Sequence, residues 1–452
     1  MKVIKTICTM LMFLLSMQLL ANEKIAKQER EILGLKIIGF TDESALEKEG
    51  AKLGDILLKY DGKKLKSIKH LQKLKQEVTK EKVKILLKRD KVKIALKVPA
   101  GELGAYFQPI AKPHKIDKNA KIIKGIGKLG FDMGIDNSFI ACVWRIDEKF
   151  GSGISYEDMI GLSGYAFRTQ FHKDWCPSSP DATCGKDVGG QLLEKLGYKY
   201  EYYLLQNPEI RDEESKERMR EKEEIKTIIM KSIDNGWPVI ALDLIEIPEW
   251  GIITGYQKHG QELFCRTYFD MTEDYEIAQK FPWVICVING KKKDTELTEA
   301  YENLIYFAKD LYDTEKADGY YLGLSAITYW MEKLDNKKFF AELDDEKFSQ
   351  VNLANTWTIK SLSEARRIGS EFIERHSKEL GIDKSIAENM VNIYKRESEI
   401  LSNLIDEGDI GAYFIQDKEQ WTDEMREKQI EALKAFYGLE QEFYSILSEK
   451  VK

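Results

Sequence analysis

The sequence predicts an α+β protein of several domains, and three observations carry that expectation. The chain is 452 residues long, room for about three domains. Its apolar pattern changes along its length: short runs broken by Gly and Asp over 33–107, helices followed by strands over 121–295, and helical spacing from 296 to 452. Charge is also uneven. Residues 33–100 carry 18 Lys and Arg against 9 Asp and Glu, so the remainder must hold −16 to reach the overall −7. A basic module beside an acidic body can meet acidic peptides, an anionic surface or its own body, or can simply serve solubility. No nucleic-acid partner is expected of a chain that is acidic overall.

The first 21 residues read as a signal peptide. Lys2 and Lys5 precede an apolar run from Ile7 to Leu20, and Ala21 is a small residue before Asn22. The run is short for a membrane span, and no later stretch approaches about 18 apolar residues, so no stable span is expected once the signal is cleaved. The expected location is outside the cytoplasm, periplasmic or secreted. Five Cys remain after Cys8: Cys142, Cys176, Cys184, Cys265 and Cys286. Cys176 and Cys184 can close a small loop as a disulfide, a question the spacing leaves open. The five His lie far apart, so neither a metal nor a cofactor is expected.

Residues 33–107 contain Leu33-Gly-Leu-Lys36, Ser44-Ala-Leu46, and Ala51-Lys-Leu-Gly-Asp-Ile-Leu-Leu-Lys-Tyr-Asp-Gly-Lys-Lys-Leu65. Asp61-Gly62 between apolar runs signals a hairpin turn, because Gly supplies the positive φ that such turns need. A helix follows at 67–77 and two strands at 83–89 and 91–98. This order resembles a bacterial PDZ domain, a small β-barrel-like module. The resemblance implies that a peptide or protein C-terminus adds as a strand to a sheet edge. It places the carboxylate-holding loop near Leu33, Gly34 and Leu35, with Ile68 and Leu71 on the helix opposite.

After a Gly/Pro/Lys linker at 101–120, the pattern predicts helices at 138–150, 155–161, 187–197 and 211–235. A long loop is expected over 161–184. Four strands follow: Pro238–Ile245, Trp250–Tyr256, Glu262–Tyr268 and Trp283–Ile288. The segment 211–226 is nearly all charged with mixed signs, as a solvated helix would be. From 296 the helices continue, with Gly319–Gly323 and Asn355–Trp357 marking turns or caps.

Two segments, Ser138-Phe-Ile-Ala-Cys-Val-Trp144 with Gly153-Ile-Ser155, and Glu249-Trp-Gly-Ile-Ile-Thr-Gly-Tyr256, together resemble papain-like peptidases of the bacteriocin-processing type and the butirosin-biosynthesis acyltransferases. Those families place a nucleophilic Cys at the start of the helix and a His at the start of the strand. Here the matching positions read Ser138 and Glu249, with Asn137 as the inert alternative one residue earlier. The orienting acid falls on Asp270. Asp132 falls where the families often have an oxyanion-stabilising Gln, and an acid there opposes the developing negative charge. Cys142, and Cys176 with His172, are the alternate nucleophile candidates; Arg168 and Arg266 are candidate ligand-binding residues. Two functions follow. The altered triad favours a binding protein that recognises peptides or envelope ligands; the alternative is a peptidase, amidase or acyltransferase acting on a peptide recruited by the PDZ-like module. A free Glu, with a pKa near 4.3, is a weak base for Ser at neutral pH, and burial beside Trp250 would raise it.

Overall fold

The computed structural model describes residues 31–451 except 42–43, 102, 131–132, 152, 206–214, 293–296, 407–414 and 416. The predicted signal peptide and Asp132 lie outside the described residues. Among the described residues no helix is long and apolar enough to cross a membrane.

The N-terminal module is one antiparallel sheet with two helices. Its strands are β1 (Ile32–Phe40), β2 (Ile56–Tyr60), β3 (Lys63–Lys64), β4 (Lys82–Arg89), β5 (Val92–Pro99) and β6 (Ala105–Ala111); the helices are α1 (Ala45–Lys48) and α2 (Ile68–Glu77). The strand order is β5-β4-β2-β1-β6, with β3 on β2. The predicted hairpin is present: Tyr60 pairs with Lys63, and Asp61 (φ 45) and Gly62 (φ 78) take the left-handed backbone that a two-residue turn requires. Ser67 caps α2 by accepting from the His70 N–H, and Leu71 and Leu74 turn inward against Leu35, Leu57 and Ile85.

The edge expected at β1 is not free. Leu35 pairs with Leu57 on one side and with Pro109 on the other. Seven residues of the 101–120 segment, read as linker, form β6 and cover that edge. The free edge beyond β1 is therefore β6 itself. Its last residues turn toward the second sheet: the Ala111 N–H donates to Met271 O, and Gln108 Nε2 donates to Asp270 O.

The second sheet is also antiparallel, in the order β13-β12-β11-β10-β14-β9. Its central strands are β10 (Val239–Leu242), β11 (Trp250–Gln257) and β12 (Glu262–Arg266). β13 (Glu276–Ile277), β14 (Val284–Lys291) and β9 (Tyr198–Leu204) flank them, and the short β7 (Lys121–Ile122) pairs with β11. All eight residues of β11 are buried, which explains why its sequence lacks a polar/apolar alternation; its two polar side chains are buried with partners, Thr254 on Phe264 O and Gln257 on Glu262. Helices α3 (Ser138–Phe150), α4 (Tyr156–Ser163), α5 (Val188–Lys195) and α6 (Lys216–Asp234) pack around this sheet, α3 directly on β11.

Residues 161–184, expected as a loop, hold more structure than that. The end of α4 leads into β8 (Gln170–His172), which pairs with β16 (Tyr320–Leu322) from the C-terminal region. That region is otherwise helical: α7 (Thr298–Glu302), α8 (Leu304–Asp313), α9 (Gly323–Leu334), α10 (Lys337–Ala341), α11 (Asp345–His376), α12 (Lys384–Asp406) and α13 (Asp423–Lys450). One apolar core runs across residue 296, joining Ile252 and Cys286 of the sheet to Phe372, Tyr394 and Phe443 of the helices. Gly161 makes this approach possible: a Cβ there would lie 2.3 Å from the Phe372 ring. A fully buried ion network pins the same junction. Arg366 on α11 donates to Glu397 Oε2 (2.8 Å) on α12, to Glu440 on α13, and to the Ala166 carbonyl (2.6 Å) in the segment before β8.

Candidate functional site

α3 begins at a cleft because Asn137 stops the helix from starting earlier. Its Oδ1 accepts the Ile140 N–H at 3.0 Å, and its own N–H donates to the Tyr156 hydroxyl at 2.9 Å. Asn137 is thus a helix cap, and the first helical residue is Ser138. β11 begins at the same cleft. The Phe139 and Trp250 rings meet edge to face, centroids 5.1 Å apart and planes at 79°, a geometry worth about 1 kcal/mol beyond the area buried. Their sequence neighbours, Ser138 and Glu249, are held together by this contact. The Ser138 hydroxyl faces the Glu249 carboxyl across the cleft wall, near enough to favour its ionised form.

Burial in the cleft wall pushes the Glu249 carboxyl up to about 7. The Ser138 hydroxyl works against this rise, and the charges of Asp181 and Asp136 add to it. The cleft has a volume of about 370 Å³. Asp181 is firmly set: Oδ2 accepts from Trp250 Nε1 at 2.8 Å, and Oδ1 accepts from the Thr183 N–H at 2.7 Å and its hydroxyl at 2.8 Å. Asp136 faces Lys360 at 3.8 Å. Aromatic side chains complete the walls: Phe269 from the turn after β12, Tyr165 from the segment before β8, and Trp357 from α11.

Of the expected triad, the structure brings together Ser138 and Glu249 but not Asp270. Both Asp270 oxygens serve the turn after β12: Oδ2 accepts from Arg266 at 3.1 Å, and Oδ1 from the Thr267 N–H at 2.8 Å and its hydroxyl at 3.1 Å. Burial pushes this carboxyl up to about 7, against the pull of Arg266. The carboxylates that act on Glu249 are instead Asp181 and Asp136, neither of which stood out in the sequence.

Internal acceptors engage both of the expected ligand-binding arginines, although Arg266 also lines a separate cavity with His114 and Tyr275. Arg168 is buried and its guanidinium donates to four backbone carbonyls, of Cys184 (3.1 Å), Lys186 (2.9 Å), Pro180 (3.4 Å) and Asp181 (2.7 Å). It fastens the 180–186 segment that carries Asp181. Arg266 donates to Asp270 and to the carbonyls of Ile126, Asp274 and Glu273. A guanidinium has five N–H groups, and internal acceptors engage most of them in each case.

The alternate nucleophiles fare no better. Cys142 lies one helical turn beyond Ser138 at 0% exposure. Burial first, and the Glu249 charge second, push its thiol well up, so it is a core thiol rather than a thiolate. Cys176 and His172 are buried with separate hydrogen-bonding neighbours: Ser178 Oγ donates to Cys176 Sγ at 2.8 Å, and His172 Nδ1 accepts from the Asp174 N–H at 3.1 Å. Burial lowers His172 to about 4. Cys184 is buried as well. Among the described residues no group of three or more His, Cys, Asp or Glu is placed to hold a metal ion.

In the N-terminal module, Leu35 and Leu71 belong to the core, and Ile68 packs against it. Gly34 faces β2 so closely that a Cβ would lie 2.4 Å from the Ile56 side chain. Leu33 alone of the expected groove residues is substantially exposed, at 40%.

Comparison of the chain with protein-family models finds no match, and comparison with curated proteins finds none.

Proposed function

We propose that this is an extracytoplasmic ligand-recognition protein: a PDZ-like module joined to a papain-like domain whose cleft binds rather than cleaves. One observation carries the choice of binding over catalysis. The Ser138 hydroxyl stands among three carboxylates, Glu249, Asp181 and Asp136, where acyl transfer would need donors for a developing oxyanion. Negative charge aimed at that oxygen raises the barrier. The N-terminal module supports a peptide-binding role through β6, which among the described residues is the terminal strand of its sheet and engages the second sheet at Ala111, leaving its earlier residues as a position from which a further strand can be added.

A second reading has its own support. A carboxyl pushed up to about 7, facing a Ser at the head of a 13-residue helix, has the residue types and proton affinity of a nucleophile–base pair. This is the peptidase, amidase or acyltransferase alternative.

Covalent labelling separates the two. The full-length mature protein is treated with a fluorophosphonate and with iodoacetamide from pH 4 to 8, and adducts are mapped by mass spectrometry. The binding reading expects no labelling that depends on the fold. Stoichiometric fluorophosphonate labelling at Ser138, absent from Ser138→Ala and from heat-denatured protein, would overturn it in favour of a serine nucleophile.

A further inference from the structure

We propose that the cleft takes a positively charged amine carried on a short apolar body. This deepens the recognition reading above and rests on it. The argument is one of shape and charge together. The cavity is about 370 Å³, enough for a single side chain or small amine rather than a long polymer, and its walls are both aromatic and acidic. Trp357 and Phe269 offer ring surface, on whose faces a cation is attracted more strongly than a neutral group. Asp136, Asp181 and Glu249 supply carboxylate oxygens in the same cavity.

The charges of the lining do not cancel internally. Lys360 is its one cationic side chain and stands 3.8 Å from Asp136. Arg168 sits behind Asp181, but its hydrogen bonds go to the backbone carbonyls of the 180–186 segment. The N-terminus of α3 contributes about half a positive charge, and the Asn137 cap has already engaged one of its N–H groups. Asp181 is held in place by three hydrogen bonds from Trp250 and Thr183. A neutral ligand would leave Lys360 as the one cation facing Asp136, Asp181 and the ionised fraction of Glu249, and an anionic ligand would add to the repulsion. An ammonium group offsets them while its apolar stem lies against the rings.

A lysine-type side chain and a free peptide N-terminus share this chemistry. Four probes distinguish them by isothermal titration calorimetry on the full mature protein at neutral pH: Nα-acetyl-lysine amide, leucine amide with its free α-amine, Nα-acetyl-norleucine amide as neutral control, and Nα-acetyl-glutamate amide as anionic control. At least one amine should bind about tenfold or more tightly than the neutral control, the scale of a desolvated cation–ring contact plus a charge partner. Whichever amine binds names the source. Trp357→Ala and Asp136→Asn should each weaken that amine by about tenfold while leaving the neutral control little changed. If the neutral or anionic control binds as tightly as the amines, and Trp357→Ala weakens it, the cleft is a recognition site and the amine inference falls alone. If none of the four binds at millimolar concentration, the recognition reading falls with it.

Discussion

Replacing Glu249 by Gln gives the sharpest test of the site's electrostatics. Gln keeps the shape and still faces Ser138, but it cannot ionise. In the folded protein the Glu249 carboxyl titrates at about 7, against 4.5 for an ordinary Glu. The folded state therefore holds this proton more tightly than the unfolded chain does. A carboxyl raised in this way supports the fold below pH 4.5, and its contribution is lost as pH climbs toward 7. At about 1.4 kcal/mol per tenfold change in proton affinity, the rise from 4.5 to about 7 amounts to about 3 kcal/mol. Glu249 lines a cleft that is open to water on one side, which brings the expected figure nearer 2 kcal/mol. Glu249→Gln should thus match the parent protein near pH 4.5 and exceed its stability by about 2 kcal/mol at pH 8. Urea denaturation followed through tryptophan fluorescence at several pH values measures this. The difference between variant and parent isolates the one carboxyl from all other titrating groups. A difference that does not change with pH, or one that shrinks as pH rises, would refute the reasoning.

Two further substitutions test how the site is held. Arg168→Met keeps apolar bulk but removes the donor to the Lys186 and Asp181 carbonyls, while Pro180 O and Cys184 O still accept from Asn137 and Gln170; a loss of about 2 kcal/mol is expected, with faster proteolysis of the 180–186 segment. A loss below about 0.5 kcal/mol would show that water replaces the guanidinium without cost. Arg366→Met leaves Glu397 and Glu440 buried without their cation, so a loss of about 3–5 kcal/mol is expected. Adding Glu397→Gln should recover part of it, and strictly additive losses in a double-mutant cycle would sever the proposed link between those residues.

The sequence and the structure agree best where a pattern is local. α3 was readable because 139–146 is apolar at every position but Arg145, as a helix buried nearly all round would be, and the Gly-Ile-Ser stretch after it supplies both a break and a cap: Ser155 accepts from the Asp158 N–H. β11 was readable because a strand buried on both faces is mostly apolar, as Trp250 to Ile253 are. β9 was missed although its sequence, Tyr-Lys-Tyr-Glu-Tyr-Tyr-Leu, carries a partial alternation; its neighbour in the sheet, β14, lies some eighty residues later. The β6 strand was masked by Gly101, Gly104 and Pro109, which read as linker residues. Pro109 is tolerated near the edge of a sheet, where one missing N–H costs little.

By itself the sequence determined the α+β class and the elements with strong local patterns, such as α3, β11 and the Asp61-Gly62 hairpin. Those features follow from short-range rules of periodicity, capping and turn chemistry. Only the tertiary structure decided what surrounds Ser138 and Glu249. It replaced Asp270 with Asp181 and Asp136, turned Arg168 and Arg266 into internal fasteners, and brought Trp357 and Lys360 from α11 to the cleft. The physical reason is that a side chain's partners depend on which distant element packs beside it. An Arg that fixes a ligand and an Arg that fixes a loop are the same letter, and burial against far-off carbonyls is what separates them.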